Sequence, residues 1–217
     1  CAQAPYPALN RSPPLVELAA DIPVKPLYAL LDDAAQLHAA NPCVEFRGRQ
    51  FSFAEIKLLS DRAAKGLADA GFKPGMKLGL FLPNCPYFVV FYYAALKAGG
   101  ILVNYNPLYA EEEIVRQIEN SQTDFMVTLD LAVLLNKFSS VFERTELKRI
   151  IVCSLAEQFS TVAGLLFRTV KWRDIVKVPR GEHYLQGRAV LGNDGAFIPV
   201  AVDPQPTVPV LQYTGGP

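Results

Sequence analysis

The residues best suited to chemistry stand at the end of the sequence, in "VLQYTGGP". An apolar run leads into Tyr213, Thr214, Gly215 and Gly216, and Pro217 follows. Glycine lets backbone N–H groups approach an anion closely, and a threonine hydroxyl adds another donor. A strand opening into such a loop is a candidate phosphate cradle. The four residues alone do not decide it, because Gly-Gly more often simply turns the chain. Nor do they make a Walker A loop, which needs spaced glycines and a Gly-Lys-Ser/Thr ending.

Other reactive side chains are sparse. Cys1, Cys43, Cys85 and Cys153 form no CxxC pair, and with only His38 and His183 beside them the spacing gives no metal cluster. They read as small buried hydrophobes of a reducing cytosol. Cys85, in "PNCPY", sits at a loop-to-helix junction, where a thiol is activated only if its sulfur is exposed. Asn84 is the expected cap there and Pro86 the expected first helical residue. Asn106-Pro107-Leu108-Tyr109 reads as a turn rather than a ligand contact. "GLLFRTVKWRDIVKV" carries Arg168, Lys171, Arg173 and Lys177 among apolar residues. A basic amphipathic helix of this kind can rest on a membrane surface; the plainer reading, a helix packed on the domain with its charges in water, is preferred.

The elements around these residues follow from composition and rhythm. With 51% hydrophobic residues, the 217-residue chain can bury a substantial core. Its 21 basic and 21 acidic side chains cancel, which removes a broad electrostatic case for nucleic acid. The most apolar window, "YFVVFYYAALKAGGILV", is interrupted by Lys97 and a Gly-Gly break, so no membrane span is expected. Residues 1–25 are Pro-rich and read as an extended arm; residues 26–217 read as one domain. The start at Cys1 reads as trimmed, processed or replaced.

Within the domain, "LYALLDDAAQLHAA" has helical spacing and "CVEFRGRQFSF" alternates about Arg47-Gly48 as a hairpin. Ser52 and Glu55 fit a capping box, and the helix after them places Ile56, Leu59, Ala63, Leu67 and Ala70 on one face. Lys57, Asp61, Lys65 and Asp69 form an alternating-sign stripe, read as solvated. The runs "KLGLFLP", "GILVNY", "DFMVTLD" and "RIIVCS" then alternate with three expected helices: 86–98, "AEEEIVRQIENS" and "LAVLLNKFSSVF". Doubly apolar strands alternating with helices predict an α/β, three-layer αβα domain with a mostly parallel sheet. Residues 154–206 break the rhythm and read as loop-rich after the basic stretch, before "VPVLQY" supplies a fifth run.

In this setting "LQYTGG" resembles the opening of the phosphate-binding signature of adenylate-forming enzymes, specifically the acyl-CoA synthetases. "RGRQFSFAEI", "GMKLGLFLPNCPYFVVFYYAALKAGGILVNYNPLY" and "LAEQFS" resemble, in order and spacing, the N-terminal part of bacterial long-chain fatty-acid CoA ligases. The resemblance runs from about residue 25 to residue 216. It implies a partial N-terminal AMP-binding domain cut within its loop, with Tyr213, Thr214, Gly215 and Gly216 at the ATP phosphates. Pro217 replaces a family threonine and removes one backbone donor. The implied reaction activates a fatty-acid carboxylate with ATP and Mg²⁺, then transfers the acyl group to coenzyme A. No catalytic residue and no metal ligand of that machinery falls in these residues, so the segment alone is expected to be inert. The implied setting is cytoplasmic, with peripheral membrane contact and a homodimer as further expectations. Two other readings remain: a non-catalytic dimerisation or membrane-docking module, and an unrelated α/β nucleotide-binding protein.

Overall fold

The computed structural model describes residues 24–160 and 174–213. Residues 1–23 of the expected arm lie outside them, as do Arg168, Lys171, Arg173, Thr214, Gly215, Gly216 and Pro217.

The first part forms as its local signals dictate. Helix α1 (Ala29–Leu37) leads to an antiparallel hairpin of β1 (Pro42–Phe46) and β2 (Arg49–Ser52). Arg47 and Gly48 turn it, with φ of 52° and 78°, the left-handed pair that matches strand twist in a two-residue loop. Helix α2 (Phe53–Asp69) starts on the expected capping box: Glu55 N–H donates to Ser52 Oγ at 3.2 Å, and Ser52 N–H donates to Glu55 Oε2 at 2.7 Å.

The main sheet follows, built from β3 (Lys77–Leu80), β4 (Ile101–Asn104), β5 (Phe125–Leu129), β6 (Arg149–Cys153), β7 (Tyr184–Gln186) and β8 (Val210–Gln212). Their spatial order is β7-β6-β5-β3-β4-β8, and every pairing is parallel. Helix α3 (Pro86–Lys97) carries the chain from β3 to β4, and α4 (Glu111–Ser121) carries it back past β3 to β5. Right-handed crossovers running in opposite directions place α3 and α4 on opposite faces, which makes the three layers. Adjacent strands β3 and β5 send their chains to opposite sides, a topological switch whose crevice opens at the strands' carboxyl ends.

Several expectations need correction. The helix read through "LAVLLNKFSSVF" is two short pieces, α5 (Ala132–Leu135) and α6 (Phe138–Glu143), joined at Asn136 and Lys137. The stretch read as loop-rich contains β7 and a five-residue helix, Gly187–Leu191, so the sheet has six strands rather than five. The charged stripe of α2 is not all solvated. Asp61 is 8% exposed and binds Lys97 of α3, which is fully buried. Lys97 Nζ lies 2.5 Å from Asp61 Oδ1 and 2.5 Å from Asp32 Oδ1 of α1, tying three helices together. Lys57 Nζ holds the other Asp61 oxygen at 2.7 Å, and that hydrogen bond raises the Lys57 pKa. Among the described residues, no helix is long and apolar enough to cross a membrane.

Candidate functional site

Strand β8 positions the start of the candidate phosphate loop. It lies beside β4 in the register Leu102↔Val210, Val103↔Leu211, Asn104↔Gln212, so both strands end level with one another. Asn104 Nδ2 donates to Gln212 Oε1 at 2.7 Å, joining the two ends through their side chains. Gln117 of α4 donates its amide to the Asn104 carbonyl at 2.9 Å. One residue past the strand, the half-buried Tyr213 donates its hydroxyl to Asn120 Oδ1, again on α4. Beneath this root Tyr105 is buried, its hydroxyl 2.7 Å from Thr123 Oγ1 and 3.1 Å from Ser121 Oγ. Burial pushes the Tyr105 pKa up to about 12, against a smaller lowering by those two hydroxyls.

Of the four expected loop residues, Tyr213 is therefore anchored at the carboxyl edge of the sheet, where open parallel sheets take their ligands. Thr214, Gly215 and Gly216 lie outside the described residues. The sequence did not single out Asn104, Gln117 and Asn120. The available signal was the amide-bearing Asn104 that closes the apolar run "GILVN", level with Gln212 in the neighbouring strand.

The neighbouring loops are held by their own hydrogen bonds. Leu108 N–H donates to Asn106 Oδ1 at 3.0 Å and Tyr109 N–H to the Asn106 carbonyl at 3.0 Å, making the expected turn. Lys137 clamps that turn by donating to the carbonyls of Pro107 and Tyr109, at 3.1 and 2.7 Å. The cap of α3 is Cys85 rather than Asn84, with Pro86 as the first helical residue, as expected. The Cys85 thiol is 5% exposed, and burial raises its pKa, offset in part by the N–H groups of Phe88 and Tyr87. A helix terminus cannot activate a thiol that desolvation holds neutral. Cys153 is fully buried and its pKa is likewise raised by burial. No group of three or more His, Cys, Asp or Glu able to hold a metal occurs among the described residues.

Comparison with known proteins identifies the class. Residues 31–216 match the model of the AMP-binding enzyme family, and the chain belongs to that family. It is 29% identical over 199 residues to a long-chain-fatty-acid–CoA ligase of Bacillus subtilis, covering 90% of this chain and 35% of that protein. A long-chain-fatty-acid–CoA ligase of Escherichia coli O157:H7 is 28% identical over 220 residues, covering 96% of this chain and 38% of that one. The chain thus spans little more than a third of the length of these relatives. Among solved structures, a long-chain-fatty-acid-CoA ligase of Archaeoglobus fulgidus superposes with a TM-score of 0.67, at 22% identity over 90% of this chain and 35% of the other. Coronafacic acid ligase of Pectobacterium brasiliense gives 0.68 at 19% identity, over 86% and 33% of the two chains. These superpositions establish the fold: the parallel sheet is that of the N-terminal domain of adenylate-forming enzymes.

Proposed function

We propose that this chain is the N-terminal part of an ATP-dependent fatty-acid CoA ligase. Such an enzyme joins a fatty-acid carboxylate to AMP with release of pyrophosphate, and the coenzyme A thiol then displaces AMP to give the thioester. A carboxylate repels nucleophiles; adenylation supplies a good leaving group, which is why ATP is needed. The observation carrying the reading is β8, which brings Tyr213, the residue before Thr214-Gly215-Gly216 in the sequence, to the carboxyl edge of the parallel sheet. In this proposal the Thr214 hydroxyl and the backbone N–H groups of Gly215 and Gly216 hold ATP phosphates. That donor set fits a polyanion, since it offers hydrogens and no competing carboxylate. Mg²⁺ would enter with ATP and neutralise phosphate charge. Long-chain fatty acids are the proposed substrate class, on the strength of the relatives' names alone. The domain is taken to begin near residue 26.

The test is fatty-acid-dependent exchange of labelled pyrophosphate into ATP. A protein carrying this segment with the remaining length of its relatives should catalyse the exchange with oleate. Thr214→Ala with Gly215→Ala should cut its kcat on the order of 100-fold, by removing the Thr214 hydroxyl donor and adding a Cβ where the backbone must approach the phosphates. Residues 1–217 expressed alone should show none. Oleate-independent or absent exchange in the longer protein would sink the proposal.

A further inference from the structure

A second polar cleft opens at the opposite half of the same sheet edge. It has a volume of about 390 Å³ and sits at the carboxyl ends of β5, β6 and β7. Lys177, Arg180, Arg188 and Ser154 line it, together with Asp130 and Glu157. Among the described residues, none of the three cations forms an ion pair. Both carboxylates already have partners. Asp130, 8% exposed, accepts the Leu155 N–H at 3.0 Å, and Glu157 accepts the Tyr87 hydroxyl at 3.0 Å. In a chain with equal numbers of acidic and basic residues, three unpaired cations around one concavity are a local excess of donors.

The backbone fixes the positions from which two of these side chains project. Just before Lys177, the chain is pinned across the end of β5 by Ala132 N–H to the Asp174 carbonyl and Val176 N–H to the Asp130 carbonyl, both 2.8 Å. A Leu131↔Ile175 bridge lies between them. Arg188 is the second residue of the short helix after β7. Its neighbour Gly187 packs so closely on β6 that an added Cβ would stand 2.6 Å from Cys153 Sγ. Arg188 Nε donates to Gln186 Oε1 at 2.7 Å, which orients the guanidinium and leaves its terminal nitrogens for another acceptor. Two guanidinium forks, an ammonium and a hydroxyl make a donor set suited to a phosphate dianion.

We propose that this cleft binds the phosphate group of a small soluble ligand, separately from the loop at Thr214. Strand β6 lies four strand spacings from β8, roughly 19 Å at about 4.8 Å per spacing. One phosphate therefore cannot bridge both places.

The probe is pyrophosphate, titrated into the whole chain and followed by ³¹P NMR. A saturable component is expected that Arg180→Glu with Arg188→Glu weakens at least about tenfold, and that Thr214→Ala with Gly215→Ala leaves in place. If the double reversal lowers the melting temperature, Lys177→Gln and Arg188→Gln replace it, each expected to weaken binding several-fold. No saturable binding below ~10 mM overturns the proposal, as does equal affinity in the arginine variants. Loss on changing the loop alone also overturns it, by placing the anion at Thr214. Flotation with phosphatidylglycerol vesicles that pyrophosphate does not displace overturns the soluble ligand in favour of a lipid headgroup. None of these outcomes depends on catalysis, so the cleft and the ligase proposal stand or fall separately.

Discussion

At the residue scale, Lys97 shows how a charge inside an apolar helix is accommodated. Its ammonium is withdrawn from water but meets one carboxylate oxygen from each of two neighbouring helices at 2.5 Å. Such a cluster is weak evidence of net stabilisation, because desolvation offsets much of the attraction. Removing one member is a different matter, since it strands the remaining buried charge. Lys97→Ala is therefore expected to cost about 3 kcal/mol in urea unfolding. Lys65→Ala, which breaks the surface pair with Asp194, should change nothing measurable. Equal effects of the two substitutions would mean that Lys97 is not held as described. The sequence showed the i,i+4 pair of Lys57 and Asp61 but not this cluster. A stripe on one helix cannot reveal which residue of another helix reaches it.

At the element scale, Gly66 carries the contact between α2 and the helix Gly187–Leu191. A Cβ there would stand 2.0 Å from the Val190 carbonyl oxygen. An exposed helical Gly→Ala change gains up to about 1 kcal/mol from backbone entropy. Here overpacking reverses the sign, and Gly66→Ala is expected to lose about 1–3 kcal/mol in chemical denaturation. A gain would show that the two helices are not in contact. The strand–helix rhythm from Lys77 to Cys153 was legible, apart from the break at Asn136 and Lys137, because strands buried on both faces are apolar throughout. Strand β7 was not, for a physical reason: at the sheet margin its three residues are only partly covered and read as "YLQ". The helix after it contains Gly187 and Arg188 and is too short to show a period. Of the candidate site, the strand that leads into Tyr213 was legible from "VLQY". The side chains that fix its end were not, because Asn120 and Tyr213 meet only through the tertiary fold.

At the scale of the whole molecule, the described cysteines and tyrosines that resist ionisation do so through full or partial burial. Burial raises the pKa values of Cys85, Cys153 and Tyr105 above ordinary values of 9.0, 9.0 and 10.0. A raised folded-state pKa contributes stability that is complete below the unfolded value and is lost as pH rises towards the folded one. On the acid side, Glu112 beside Arg144 and Asp194 beside Lys65 are lowered, but both pairs are at the surface and screened. The chain should accordingly lose stability on the alkaline side. Its urea midpoint is expected to fall between about pH 8.5 and pH 11, and a flat profile over that window would contradict the burial described. The sheet order has a consequence in time as well. Lys77 meets Ile101 across one crossover, whereas Leu102 must wait for Val210 from the far end of the sequence. Closing that long loop is the slower event, so β8 should dock onto a sheet whose centre has already assembled. Two amides at the ends of one segment can time the steps: Tyr105 N–H is held by the Leu80 carbonyl of β3, and Leu102 N–H by the Pro209 carbonyl. Pulse-labelled hydrogen exchange during refolding should protect Tyr105 first, and simultaneous protection would refute the order. On this order the edge proposed to hold ATP phosphates is completed only after the centre of the sheet.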